Sequence, residues 1–135
     1  MRRLPILLAL LLVLLTGAAA RAQRIQDASF RTVGYIKDDG TVQDASFKTI
    51  AHIKDNGTVQ NASFKTVAYL KGGTVQDASF RTVGYIKDDG TVQDASFRTI
   101  GHVRNDGTVQ DAAFRTIGHT SNVPRSRTAW WFFFR

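Results

Sequence analysis

Along most of the chain, short stretches mixing β-branched and aromatic residues with small and polar ones are separated by Asp-Gly or Gly-Gly. The first, Thr32-Val33-Gly34-Tyr35-Ile36-Lys37, runs into Asp38-Asp39-Gly40 and resumes as Thr41-Val42-Gln43. A three-residue connection with Gly where a left-handed residue is needed predicts a β-hairpin with a type I turn and G1 bulge. One copy is a residue shorter: Ala68-Tyr69-Leu70-Lys71 meets Gly72-Gly73 and then Thr74-Val75-Gln76, the two-residue type I′ form. Both versions leave the flanking Lys and Thr paired. A deletion that keeps register is what a hairpin tolerates. With Lys37 opposite Thr41, Ile36 faces Val42, Tyr35 faces Gln43 and Val33 faces Ala45. Neither face is then cleanly apolar, since Ile36 and Val42 share one and Val33 and Tyr35 the other. Each hairpin is expected to pack between two neighbours, with Phe30, Phe47, Phe64, Phe80, Phe97 and Phe114 wedged at the connections. A lone hairpin is marginal in water, and repetition supplies the core that one unit lacks.

The repeat is DASFRTVGYIKDDGTVQ, present at 27–43 and identical at 77–93, with variants between and after. Asp27, Asp44, Asn61, Asp77, Asp94 and Asp111 form one column. Five turns end at Gly40, Gly57, Gly73, Gly90 and Gly107, and two half-units remain. Arg24-Ile25-Gln26 matches the second strand of a unit and Thr116-Ile117-Gly118-His119 the first. Pairing them would close a ring and remove exposed strand edges. The fold class is therefore all-β, a closed radial array of five short hairpins sealed by the terminal half-units, with an open β-solenoid as the alternative.

Outside the repeats the pattern changes twice. Met1 to Ala22 has a basic start (Arg2, Arg3), an apolar run from Leu4 to Leu15 and a small-residue exit, the anatomy of a secretory signal peptide. Cleavage after Ala22 would leave Gln23 as the amino terminus. The run is shorter than the roughly 20 apolar residues a membrane-spanning helix needs. The organisation is thus 1–22 signal peptide, 23–119 hairpin repeats, and 120–135 a basic linker ending in Trp130-Trp131-Phe132-Phe133-Phe134-Arg135. Net charge is +7, but Arg2, Arg3 and Arg21 belong to the leader, leaving +4. That is not a nucleic-acid signature. There is no cysteine and no glutamate, so disulfides and thiolate metal sites are excluded, and stability must come from packing and ring closure.

The repeat core, T-[VI]-G-[YH]-[IV]-K-x-D-G-T-V-Q-D-A-S, with the leader and the aromatic end, resembles the five-fold beta-flower family of exported bacterial repeat proteins. The resemblance implies five radial petals of β-hairpin and no catalytic role. This chain departs from the pattern at His52, His102 and His119, where Tyr is usual, and at Ala51 and Ala68, where Gly is usual.

Three columns carry candidate chemistry. Tyr35, His52, Tyr69, Tyr85, His102 and His119 would form a circle of flat polar aromatics able to stack on sugars, or serve only as packing between petals. Arg31, Lys48, Lys65, Arg81, Arg98 and Arg115 would form a positive circlet for an anionic glycan or phosphate, or pair with Asp44, Asp77, Asp94 and Asp111 of adjacent units on a solvated rim. Trp130, Trp131, Phe132, Phe133 and Phe134 would plug one mouth of the ring or dock on a membrane or partner. The turn carboxylates Asp38, Asp39, Asp55, Asp88, Asp89 and Asp106 lack the ligand spacing of a calcium loop. The three histidines are not spaced as a metal site. Ser29, Ser46, Ser63, Ser79 and Ser96 recur without a distinguishing His and Asp, so no nucleophile stands out. The expected function is a non-catalytic structural or binding module, exported to the medium, periplasm or cell envelope and without cofactor. A lectin-like module and a self-assembling fibre subunit are the alternatives. The sequence names no ligand or partner: a glycan or envelope component and self-association are the options, and nucleic acid is not among them.

Overall fold

The computed structural model describes residues 23–135, so the leader lies outside the described residues. The chain forms twelve strands: β1 (Arg24–Asp27), β2 (Thr32–Ile36), β3 (Thr41–Asp44), β4 (Thr49–Ile53), β5 (Thr58–Asn61), β6 (Thr66–Lys71), β7 (Thr74–Asp77), β8 (Thr82–Ile86), β9 (Thr91–Asp94), β10 (Thr99–Val103), β11 (Thr108–Asp111) and β12 (Thr116–Ser121). Each pairs antiparallel with its sequence neighbours, and β1 pairs with β12 through Arg24↔Ser121, Ile25↔Thr120, Gln26↔His119 and Asp27↔Gly118. The sheet is a closed barrel, not an open solenoid. Five hairpins carry the Gly turns and the β12–β1 pair supplies a sixth unit, so the repetition around the ring is six where five petals are expected from the turn count. The terminal half-units make a full petal once joined.

An up-and-down path sorts the connections by end. The Gly turns and the seam between the chain ends lie at one end, and six Asp-Ala-Ser-Phe-type loops lie at the other. At the Gly end, Lys37 N–H donates to Thr41 O and Gly40 N–H to Lys37 O, both at 2.9 Å, the type I plus G1 arrangement. In the short copy Gly72 and Gly73 both have positive φ, +54° and +86°, as type I′ requires. Each turn also joins the next unit, because Gly40 O accepts Ile53 N–H at 2.7 Å. A Cβ on Gly40 would lie 1.8 Å from the Ile53 carbonyl oxygen, so this position excludes side chains by contact as well as by its φ of +90°. At the seam, where a sixth turn is missing, Gln23 O accepts Ile36 N–H in its place.

Ile36↔Val42 and Tyr35↔Gln43 pair as expected, but the β2–β3 ladder ends at Gly34↔Asp44 and does not continue to Val33 and Ala45. On its other side β2 pairs Gly34 with Ile25 and Thr32 with Gln26, leaving Val33 as an extra residue. The same bulge recurs in every unit, at Ile50, Val67, Val83, Ile100 and Ile117. A bulge re-aims its side chains. Val33, Ile50, Ile100 and Ile117 accordingly pack against the core instead of sharing the face of Tyr35, while Val67 and Val83 stay exposed.

The interior has two levels. Near the Gly end, Ile36 and Val42 of one unit meet their counterparts from the others, with Ile25, Val59, Val75, Val92 and Val109 essentially inaccessible. The second level is lined by Gly34, Ala51, Ala68, Gly84, Gly101 and Gly118, and there the tail enters. Helix α1 (Arg125–Ala129) leads into π1, a π-helical turn spanning Trp130–Phe134. Trp131 lies against Gly34, Phe132 against Gly118, Phe133 against Gly101 and Phe134 against Gly84. Four consecutive tail residues thus meet four consecutive units of the ring. A π-helix closes its hydrogen bond over five residues and so turns less per residue than an α-helix. Successive rings therefore step from one unit to the next. Thr128, fully buried, bonds through its hydroxyl to that of Thr120. Arg125 reaches Asp88 O and Asn105 Oδ1. Arg127 reaches Lys37 O at 3.2 Å, tying the tail to turns on different sides of the mouth.

Candidate functional site: a ring of six aromatic platforms

Each loop at the far end is built by its first residue. Asp27 Oδ1 accepts N–H bonds from Ser29 (2.9 Å) and Arg31 (3.0 Å), and Oδ2 accepts from Arg31 Nε at 3.1 Å. The main chain closes the same loop, with Phe30 N–H on Asp27 O and Asp27 N–H on Arg31 O. Hydrogen bonds to the charged form favour it. The Arg31 N–H is the main force holding the Asp27 carboxyl below the usual carboxylate range; desolvation opposes it, and the Ser29 N–H and the guanidinium reinforce it. Asp77, Asp94 and Asp111 are lowered in the same way by the N–H of Arg81, Arg98 and Arg115.

The loop forces the fourth residue into a left-handed conformation. Phe30, Phe47, Phe64, Phe80, Phe97 and Phe114 all have φ of 65–66°, a region that bulky side chains rarely adopt. These rings are not wedged between petals: they remain 58–65% exposed. One face of each is covered by the Tyr/His column. Phe47 stacks on Tyr35, Phe64 on His52, Phe80 on Tyr69, Phe97 on Tyr85, Phe114 on His102, and Phe30 crosses the seam to His119. Centroid separations are 4.0–4.7 Å and interplanar angles 11–15°. Tyr35 and its counterparts alternate with buried Gly34 and Ile36, which places them on the outer wall. The column expected to form the aromatic circle is therefore the backing layer, and phenylalanine is the exposed one. A bulky residue recurring where a turn favours Gly or Asn is the sequence signal for it.

The cation column sits beside the platforms. Arg31, Arg81, Arg98 and Arg115 pair with Asp27, Asp77, Asp94 and Asp111 of their own loops, at 2.9–3.1 Å, where pairing across units is expected. Loop geometry explains the difference, because the pair is i,i+4 around a tight turn. Lys48 and Lys65 stand where other copies have Arg, and their backbone N–H groups bond to Asp44 and Asn61. Six cations and five aspartates leave this rim at +1. The arrangement is close to neutral.

At the opposite end the turn carboxylates serve the backbone. Asp39, Asp89 and Asp106 accept the N–H of Thr41, Thr91 and Thr108 at 2.9 Å, and each is held below its ordinary pKa chiefly by that bond. The three histidines lie on β4, β10 and β12, each beneath a different phenylalanine, and His102 Nε2 is buried without a hydrogen-bond partner among the described residues. No helix among the described residues is long and apolar enough to cross a membrane. The tail aromatics occupy the lumen, with Trp130 and Trp131 buried.

Fold and rim together define a closed all-β hairpin-repeat protein with a repeated aromatic loop. The chain belongs to the 5-fold beta-flower protein family, whose model matches residues 22–135. No curated protein and no solved structure matches it.

Proposed function

We propose that this protein is a non-catalytic, multivalent carbohydrate-binding module that works outside the cytoplasm, with six phenylalanine platforms as its contact surface. The observation that carries the reading is the left-handed phenylalanine repeated six times with its ring exposed. A strained φ of this kind costs on the order of 1 kcal/mol or more per residue. Stacking two rings returns roughly 0.5–1.5 kcal/mol. That stack covers one face of each ring and leaves the larger part of the residue in water, and the exposed flat apolar face suits the C–H face of a pyranose. The Tyr or His behind each platform, the Asp–Arg pair beside four of the six and the near-neutral rim supply polar edges for hydroxyl groups and favour a neutral saccharide over an anionic one. Six equivalent weak contacts suit a repeating polymer, whose second and later contacts are intramolecular. Export rests on the apolar leader at 1–22. Assembly into a fibre by strand addition is disfavoured by a barrel with no open edge.

The test is affinity electrophoresis and a glycan array with the protein and a variant in which all six phenylalanines are replaced by Asn, a residue that accepts the left-handed region. Retarded migration in a neutral polysaccharide gel, abolished in the variant while its circular dichroism is unchanged, is the expected outcome. Binding that survives in the variant, or no binding to any saccharide by the parent, overturns the reading.

A further inference from the structure

The six units are not equivalent inside the barrel. Four lumen positions are Gly and each lies against one tail ring of Trp131 to Phe134, whereas the two remaining positions, Ala51 on β4 and Ala68 on β6, belong to neighbouring units and share a wall with Trp130 and the flank of Phe134. Between them the structure leaves a half-open apolar pocket of about 270 Å³, bounded also by Trp130, Phe134, Asn61 and Arg135. The bulge residues Ile50 and Val67 complete its apolar wall, and Val67 is itself 39% exposed at the opening. Asn61 is the third departure from the repeat at this place, since the other five copies carry Asp in that column. Three substitutions scattered over 51–68 in the sequence therefore line one cavity.

Their chemistry is coherent. Each Ala lines the pocket beside Trp130 and Phe134. Asn61 keeps the loop, because its Oδ1 accepts the N–H of Ser63 and Lys65 at 2.9 and 3.0 Å as the aspartates do, but it removes the negative charge. Arg135 rests its guanidinium 3.9 Å from the Trp131 ring centroid and brings a cation to the pocket. The flanking loops carry Lys48 and Lys65. An apolar pocket with a neutral amide and a guanidinium on its border, at the one loop that has lost its carboxylate, is complementary to an amphiphile with an anionic head. The volume exceeds the roughly 150 Å³ apolar cavity that takes benzene and falls just short of the roughly 300 Å³ at which drug-sized sites begin. We propose that this pocket binds a free medium-chain carboxylate, its alkyl chain between Ala51, Ala68 and Trp130 and its head at Arg135 and Asn61. The site shares Asn61 with the loop that carries Phe64 but does not include that ring, and its test does not depend on saccharide binding.

Trp130 lines the pocket, so intrinsic fluorescence reports occupancy. Titration of the intact protein with decanoate, below its micelle concentration, should give a saturable change. Decanol should bind at least about tenfold more weakly, the worth of one charge-assisted hydrogen bond. Asn61→Asp is expected to erase the preference for the carboxylate, and Ala68→Leu to abolish the response by filling the space. The proposal is overturned by the absence of a saturable response, by decanol binding as well as decanoate, or by an unchanged preference in Asn61→Asp. Asn61→Asp restores the residue of the other copies and so remains decisive even if Ala68→Leu does not fold.

Discussion

Asp94 illustrates how one side chain fixes a loop. Its Oδ1 accepts the N–H of Ser96 and Arg98, and its Oδ2 pairs with Arg98 Nε at 3.1 Å. The main force lowering its pKa is the Arg98 N–H, not the guanidinium. In the unfolded chain an aspartate titrates near about 3.9. Because the folded value is lower, the native state binds fewer protons than the unfolded state in this range. The stabilisation is thus complete above the unfolded pKa and is lost as pH falls through the folded one. Asp27, Asp77 and Asp111 behave alike, so stability is expected to hold through neutral pH and decline from about pH 4 downward. Asn61 shows that the amide preserves both N–H bonds without a titrating charge. Replacing these four aspartates by Asn should therefore flatten the acid limb of a stability–pH curve measured by urea denaturation. A limb as steep as that of the parent would show that the acid sensitivity lies elsewhere, for instance in Asp39, Asp89 and Asp106.

At the level of elements, the aromatic turn π1 and the Gly column of the barrel were shaped against each other. An ideal Cβ on Gly101 would lie 2.3–2.4 Å from the Phe133 ring, a separation real Cβ atoms do not show. Gly101→Ala should therefore destabilise by about 1–3 kcal/mol through overpacking. Phe133→Ala should cost about 3–5 kcal/mol through the lost ring. The double variant should be less destabilised than the sum, since the new methyl then occupies vacated space, giving a coupling of about 0.5–3 kcal/mol in a denaturation cycle. Strict additivity would mean that the ring and the glycine do not touch in solution. The sequence displayed the two partners of this match apart, the glycines spread from 34 to 118 and the rings together at 131–134. The hairpins, both turn types and the complementary half-units could be read directly, because turn chemistry and register are local. The bulges at Val33 and its counterparts could not, because a bulge is visible only in how two strands pair. That concealed the apolar face and, with it, the lumen. The left-handed phenylalanines were in plain sight at the connections, but a conformation forced by Asp27 and its equivalents is a property of the loop's hydrogen bonds, not of composition. The cluster of Ala51, Asn61 and Ala68 was concealed in part: hairpin register alone sets Ala51 opposite Asn61, but the tail residues that share their wall come from the far end of the repeat domain.

For the whole molecule, closure changes what a repeat contributes. In an open stack, stability is nearly a sum of units and neighbour interfaces, so removing one unit subtracts one increment. In this barrel every unit also borders a common lumen sized for the tail. Deletion of 77–93 joins Gln76 to Asp94 in register, leaves each remaining turn and loop chemically intact, and removes β8 with Gly84, the position facing Phe134. The ring that remains is narrower, and the tail carries one aromatic too many. The expected result is a disproportionate loss: no cooperative transition, and Trp130 and Trp131 emission shifted to that of exposed indole. Combining the deletion with Phe134→Ala removes the surplus ring and should restore part of the cooperativity, which no model of independent repeats anticipates. A deletion variant that unfolds cooperatively with its tryptophans buried, weaker by a single unit's increment, would mean that neighbour contacts alone hold the fold and that the tail merely occupies a lumen formed without it.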